Sequence, residues 1–125
     1  MKPEEVLFNE AKELHIKGEI GDAQGIYLQL LKTNSNNSNL LFLLGTTYVQ
    51  QKNYQKGKEY LNISIKVNSN FAESYNSRGI VYAEEGDYSS AIKDYDKALS
   101  LKKDYYDAHL NKAVALKNIS EFDES

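Results

Sequence analysis

Large and small apolar residues recur along this chain at helical rather than strand spacing. Between residues 75 and 98 the large ones are Tyr75, Tyr82, Tyr88 and Tyr95, and the small ones are Gly79, Gly86, Ala91 and Ala98. Tyr75, Gly79 and Tyr82 lie four and three apart, which puts them on one face of a helix; Tyr88, Ala91, Tyr95 and Ala98 form a second such face. Gly86-Asp87 lies between them. Glycine supplies the dihedrals of a tight turn, and an aspartate can cap the helix that follows. The stretch predicts two antiparallel helices that touch where the small residues are.

The same order returns every 34 residues. Tyr82 falls on Tyr48 and Leu14 going back and on Leu116 going forward; Gly79 falls on Gly45, Ala11 and Ala113; Tyr88 on Tyr54, Ile20 and Phe122; Tyr75 on Leu41, Leu7 and His109. Size class is kept while identity drifts. The chain therefore divides into units 4–37, 38–71 and 72–105 and an incomplete unit 106–125. The turn inside each hairpin falls at Gly18-Glu19, Lys52-Asn53 and Gly86-Asp87, and polar stretches such as "TNSNNSN" at 33–39 read as loops between units. Two helices of about fourteen residues are each marginal alone. They must pack, and packing needs Gly79 and Ala91 where the backbones approach; Gly79→Leu is expected to cost ~1–3 kcal/mol by overpacking. Gly25 and Gly57 fall inside predicted second helices and should soften them by roughly 0.8–1 kcal/mol each.

This pattern resembles the tetratricopeptide repeat (TPR) family. The residues that carry it are Tyr75, Gly79, Tyr82, Gly86, Tyr88, Ala91, Tyr95 and Ala98, then Leu41, Gly45, Tyr48, Tyr54, Gly57, Leu61 and Ser64, and then Leu7, Ala11, Leu14, Gly18, Ile20, Ala23 and Tyr27. Ser35, Ser69 and Lys103 stand where the family often has proline, and Leu30 fills a site usually given to alanine, so the contact between the first two units should be looser or shifted. The resemblance implies an all-α fold, an α-solenoid of antiparallel helix pairs in a right-handed superhelix, about three and a half repeats long. The exposed Val114, Leu116 and Ile119 expected on the last helix suit a piece of a longer array better than a terminal cap.

Composition narrows the function. The 125 residues carry a net charge of −3 with no basic run, which argues against a nucleic-acid partner. There is no cysteine, which removes disulfides and thiolate metal sites. No apolar stretch is long enough to span a membrane, and the charged opening lacks a secretory h-region, so a cytoplasmic location is expected. His15 and His109 have no partner at ligand spacing; His109 stands where the family packs a large ring and reads as filler. The acidic cluster Glu84, Glu85, Asp87, Asp94 and Asp96 reads as a solvated helix surface. No catalytic constellation, metal site or cofactor site is found, so the chain is not expected to be an enzyme.

In the family, the first helix of each unit lines a concave groove that holds a partner segment. Carried onto this chain, the resemblance implies a groove formed by Phe8, Asn9, Lys12, Phe42, Thr46, Val49, Glu73, Asn76, Ile80, Leu110, Asn111 and Val114. Phe8 and Phe42 are expected to be exposed there, as aromatic anchors. Glu5, Glu73, Glu84 and Asp107 bias the rim toward negative charge, which favours an apolar segment with neutral or basic flanks. One TPR subgroup clamps acidic chaperone tails; its clamp sites here hold Phe8, Lys12, Leu43, Glu73 and Ser77, of which only Lys12 has the right charge. In some O-linked N-acetylglucosamine transferases a ladder of asparagines lines the groove; Asn9 and Asn111 fit it, while Leu43 and Ser77 do not. Three readings stand at this point: a non-catalytic protein-interaction scaffold, the substrate-recognition part of a larger glycosyltransferase or sulfotransferase, and a self-assembling module that associates through the incomplete C-terminal repeat.

Overall fold

The computed structural model describes residues 3–124, with side chains described as far as Glu121. Phe122, matched above to Tyr88, therefore lies outside the described side chains. Seven helices and no strand occur among the described residues. They fall into two compact units, Met1–Val67 and Asn68–Ser125.

The first unit holds α1 (Glu4–Ile16), α2 (Ile20–Leu31), α3 (Ser38–Gln50) and α4 (Tyr54–Val67). Pro3 begins α1 in an extended conformation, and Glu4 and Glu5 sit in its first turn, where they meet the positive end of the helix dipole. Gly18, with φ +88°, ends that helix in the left-handed conformation a Cβ would resist. Lys52 does the same between α3 and α4 with φ +64°, a strained choice for a residue with a side chain. The Asn37 side chain caps α3 by accepting from the Leu40 N–H at 3.0 Å. Ala11, Ala23, Tyr27, Leu30, Leu40 and Leu44 form the core joining α1, α2 and α3. Leu30, expected to loosen this contact, is buried there beside Leu40.

Between α3 and α4 two glycines allow the closest approach. A Cβ added to Gly57 would stand 2.7 Å from Val49 Cγ2, and one on Gly45 would stand 3.0 Å from Leu61 Cγ. Gly57 is thus a packing contact and not merely a weak point in α4. Gly25 differs: nothing lies within 4 Å of its added Cβ, and only its helix-weakening effect remains. Tyr48 and Tyr60 stack across the hairpin at 5.5 Å, and Ser38 and Ser64 exchange hydrogen bonds, each hydroxyl donating to the other's carbonyl (3.0 and 2.9 Å).

The second unit holds α5 (Ala72–Glu84), α6 (Tyr88–Leu101) and α7 (Tyr106–Glu124). Gly86 turns the chain with φ +84°, and the Asp87 carboxylate accepts from the Ser90 N–H at 3.2 Å, the cap expected from sequence. A Cβ on Gly79 would meet Tyr95 Cε1 at 2.6 Å and the Ala91 carbonyl at 3.2 Å. Asp94, read as solvated, is instead buried in a two-pronged ion pair: Arg78 Nε donates to one carboxylate oxygen at 2.8 Å and a terminal guanidinium N–H to the other at 2.7 Å. The charge run hid this because its partner lies sixteen residues back, across the turn. Arg78 also sits over the rings of Tyr75 and Tyr82, at 5.7 and 5.9 Å. Ala108 and Ala115 bury α7 against the hairpin, while Ala113, the counterpart of Gly79, is exposed. Gly79 is buried by the second helix of its own hairpin, and no described helix stands over Ala113.

Candidate partner-binding surface

In the first unit the facing sides of α1, α2 and α3 leave an open cleft of about 410 Å³, lined by Lys12, His15, Ile16, Tyr27, Leu43 and Gln50. The helical repeat places Lys12, His15 and Ile16 within one turn of α1. Leu43 and Gln50 come from α3, seven residues apart and so on one face, and Tyr27 rises from α2 as the floor. Tyr27 is fully buried, and burial pushes its hydroxyl up to about 12, so it keeps its proton. His15 Nε2 is 2.6 Å from Gln50 Oε1. A carboxamide oxygen only accepts, so Nε2 donates to it, and Nδ1 stands at hydrogen-bond distance, 3.1 Å, from the Tyr27 hydroxyl. This chain ties α1, α2 and α3 together at the cleft. The Lys12 ammonium lies 4.7 Å over the Phe8 ring, which makes it the cation at the mouth of a largely apolar hollow.

The groove residues expected from sequence are placed unevenly. Among those in the first unit, Lys12 lines the cleft. Phe8 is half-buried and not the exposed anchor expected: its ring meets Tyr27 at 6.2 Å, and it edges a smaller hollow of about 190 Å³ with Glu4, Glu5, Leu30, Asn34, Asn37 and Leu40. The Glu4 carboxylate there accepts from Thr33 and Asn34 at 2.6 and 2.8 Å, and these bonds lower its pKa. Phe42 is also half-buried, and Asn9 is exposed. Thr46 turns its hydroxyl onto the Leu43 carbonyl at 2.7 Å, and Val49 packs on Gly57. Ile16, Tyr27 and Gln50 were not among the expected site residues, and Leu43 was weighed only as an uncharged clamp site. His15 and Gln50, one 34-residue step plus one apart on two first helices, were the available signal.

In the second unit α5 and α7 are joined by an amide pair. Asn111 Nδ2 donates to Asn76 Oδ1 at 3.1 Å, and Asn76 Nδ2 donates to the Tyr105 hydroxyl at 3.4 Å. Asn76 is buried, against the expectation of an exposed groove position. Burial, then the Glu73 charge, raises the Tyr105 pKa. Glu73 lies 3.7 Å from Lys102, which offsets part of the negative rim. Ile80 packs against the core of Ala91, Tyr95 and Ala115. Leu110 and Val114 are half exposed, at 50% and 51%, and four residues apart they share a face of α7. His109, expected as filler, is exposed, and its Nε2 donates to the Lys103 carbonyl at 2.9 Å. Among the described residues no cluster of three His, Asp or Glu side chains is placed to hold a metal.

Tetratricopeptide repeat models match residues 38–71 and 72–105, together more than half of the chain. The chain belongs to the tetratricopeptide repeat family. Its fold class is accordingly all-α, built from antiparallel TPR helix pairs, as the sequence pattern implied. Among curated proteins, the TPR chain is 29% identical over 93 residues to the NADPH oxidase activator of Dictyostelium discoideum, covering 74% of this chain and 15% of that protein. It is 36% identical over 62 residues to the UDP-N-acetylglucosamine–peptide N-acetylglucosaminyltransferase of Caenorhabditis elegans, covering 50% of this chain and 5% of that enzyme. It thus spans a small part of these relatives. Among solved structures, the Sgt2 TPR domain of Aspergillus fumigatus superposes with a TM-score of 0.91 at 17% identity, over 98% of this chain and 82% of that one. The first TPR of Spaghetti bound to an HSP90 peptide superposes with a TM-score of 0.87 at 18% identity, over 94% and 93%. No described helix is long and apolar enough to cross a membrane.

Proposed function

We propose that this TPR chain is a non-catalytic, cytoplasmic protein-interaction scaffold that holds a segment of a partner protein on the inner faces of its first helices. The observation that carries the reading is the apolar cleft between α1, α2 and α3, walled by Ile16 and Leu43 and floored by Tyr27, with room for one large apolar side chain. That a TPR domain of the same fold holds a peptide supports it. The partner segment is apolar with neutral or basic flanks: in the first unit Glu4 and Glu5 edge the hollow beside the cleft, and Lys12 is the cation at the cleft itself. In the second unit, Leu110 and Val114 beside the Asn76–Asn111 pair offer an apolar stripe next to amide groups. The test is a peptide array probed with the wild-type chain and with Leu43→Glu. Apolar, non-acidic peptides should bind the wild type and lose at least about tenfold in affinity with the variant, because a carboxylate in the hollow must be desolvated. Binding confined to acidic tails, or binding indifferent to Leu43→Glu, overturns the reading.

A second reading rests on the 36% identity to the peptide N-acetylglucosaminyltransferase. In it the chain is the substrate-recognition part of a larger transferase. A catalytic domain encoded in the same open reading frame would favour it, and a gene without one would remove it.

A further inference from the structure

The loops that follow α2, α4 and α6 share one turn. The Asn34 carbonyl accepts from the Asn37 N–H at 3.2 Å, Asn68 from Phe71 at 3.3 Å and Lys102 from Tyr105 at 3.1 Å, each three residues on. Ser35, Ser69 and Lys103 therefore take the second position of a β-turn, where the N–H plays no part in the turn's own bond and proline fits. Serine keeps an N–H there, and among the described residues that of Ser35 donates to nothing. Bonding this nitrogen to the side-chain carbon of Asn34 closes a five-membered ring. Four Asn-Ser pairs occur in the chain, at 34–35, 37–38, 68–69 and 76–77, and three are otherwise engaged. Asn76 is buried within α5. The Asn37 oxygen holds the Leu40 N–H, on a backbone extended at ψ 105°. The Asn68 oxygen is folded back onto the Asn70 N–H at 3.0 Å. At Asn34 the carboxamide oxygen accepts from no described residue, and Ser35 beside it is exposed. The Asn34 nitrogen donates to Glu4 Oε2 at 2.8 Å, and since Glu4 is exposed this bond does not lock the side chain.

We propose that Asn34 is a self-modification site, where the side-chain amide is lost and the acid that replaces it breaks the clasp between α1 and the loop after α2. The Ser35 nitrogen gives its proton to hydroxide and attacks Asn34 Cγ. The new Cγ–N bond forms, the Cγ–Nδ2 bond breaks, and the nitrogen leaves as ammonia with a proton taken from water, which returns the hydroxide. Water then opens the cyclic imide at one of its two carbonyls. The product is aspartate, or isoaspartate with the main chain routed through the side chain; one water is consumed for each ammonia released. Before this change the Glu4 carboxylate accepts from the Thr33 hydroxyl at 2.6 Å on one oxygen and from Asn34 at 2.8 Å on the other, tying the first turn of α1 to the loop. Afterwards an anion stands where the Asn34 donor stood, and like charges at that separation repel. The tie opens beside the hollow that Phe8 shares with Leu30 and Leu40. The inference does not rest on the groove reading.

The test holds the full chain, folded, in mildly alkaline buffer for the time in which the urea-unfolded chain loses half of its Asn34 amide. Peptide mass spectrometry, with fragmentation that separates aspartate from isoaspartate, then reads each asparagine. The folded chain is expected to convert Asn34 within about tenfold of the unfolded rate, while Asn76 falls at least about a hundredfold behind its own, because α5 must open first. Ser35→Pro removes the attacking N–H at a turn position that accepts proline, and Asn34 should then stay intact. If the proline disturbs the helices, Ser35→Val, which crowds the nitrogen, makes the same comparison and should slow the loss several-fold. Asn34→Asp supplies the product directly. It should speed hydrogen exchange at Leu7, whose N–H donates to the Pro3 carbonyl in the first turn of α1, and adding Glu4→Gln should restore the slow rate. An Asn34 amide that survives in the folded chain overturns the site, as does equal loss in the Ser35 variants. A Leu7 exchange rate that Asn34→Asp leaves unchanged, or that Glu4→Gln does not restore, overturns the broken clasp.

Discussion

Replacing single glycines by alanine separates packing from propensity in this fold, because its glycines sit in contrasting surroundings. Gly25 lies inside α2 with nothing within 4 Å of an added Cβ, and its φ is not in the left-handed region. Alanine there gains helix propensity and loses unfolded-state freedom, which together stabilise by about 0.8–1 kcal/mol. Gly79 would gain the same amount, but its Cβ would lie 2.6 and 2.8 Å from the Tyr95 ring and 3.2 Å from a backbone carbonyl. Tyr95 is 2% exposed and cannot retreat. Overpacking of this kind costs about 1–3 kcal/mol, so the net effect of Gly79→Ala is a loss of up to about 2 kcal/mol. Gly57→Ala is intermediate, since its 2.7 Å clash is with a half-buried Val49 methyl that can rotate. Thermal and urea unfolding followed by circular dichroism measures all three. With an unfolding entropy of roughly 2 cal/mol/K per residue, 1 kcal/mol moves the midpoint of a chain this size by about 4 °C. The expected order is Gly25→Ala above wild type, Gly57→Ala near or slightly below it, and Gly79→Ala lowest. A Gly25→Ala chain no more stable than wild type, or a Gly79→Ala chain more stable, would refute the assignment of small residues to contacts.

Three further outcomes follow from the same geometry. Lys52→Gly should stabilise by about 1 kcal/mol, since Lys52 holds φ +64° and its counterparts Gly18 and Gly86 are glycine; urea unfolding reads this directly. Arg78→Met should cost about 3–5 kcal/mol by stranding the buried Asp94 carboxylate, and adding Asp94→Leu should return most of it; a double mutant as unstable as the single would sink the ion-pair argument. Burial raises the hydroxyls of Tyr27 and Tyr95 to about 12 from an unfolded value of 10, so the folded chain keeps protons that the unfolded one releases. Their contribution is whole below pH 10 and is lost as pH rises from 10 through 12; Tyr95→Phe should flatten that alkaline limb, seen as a smaller fall in melting temperature across this range.

The hairpins were legible because their determinants are local: the spacing of Tyr75, Gly79 and Tyr82, the Gly86 turn and the Asp87 cap all lie within a few residues of what they control. The cleft was not, because it is made by side chains from three helices. Nothing near His15 announces that its two nitrogens will meet Tyr27 and Gln50. Asp94 shows the same limit with opposite sign, since its solvated appearance came from its neighbours in sequence and its burial comes from Arg78 across the turn. Ala113 matched its repeat and is still exposed, because a repeat residue is buried only when the helix that should cover it is present. Phe8 failed as an exposed anchor because Tyr27 stands within reach of its ring.

These differences bear on how one fold can recognise particular partners. The residues that make a hairpin cannot vary freely: a Cβ added to Gly79 would lie 2.6 Å from the Tyr95 ring and 3.2 Å from the Ala91 carbonyl. Their neighbours on the first helices carry no such constraint, and the two units use them differently. The first unit surrounds its hollow with Leu43 and Ile16 and sets one cation, Lys12, at the rim. The second sets half-exposed Leu110 and Val114 beside amides already engaged with each other. Apolar walls attract any large side chain and discriminate weakly between methyl groups. On the proposed reading, selectivity in the first unit comes from the polar groups: a ligand group that reaches Gln50 or His15 would have to replace a 2.6 Å hydrogen bond, and one that does not would leave that bond in place and bind by its apolar side chain alone. Substituting His15→Phe keeps the bulk and removes the bond, so it should broaden the range of apolar peptides bound in the array while leaving Leu43→Glu as damaging as before.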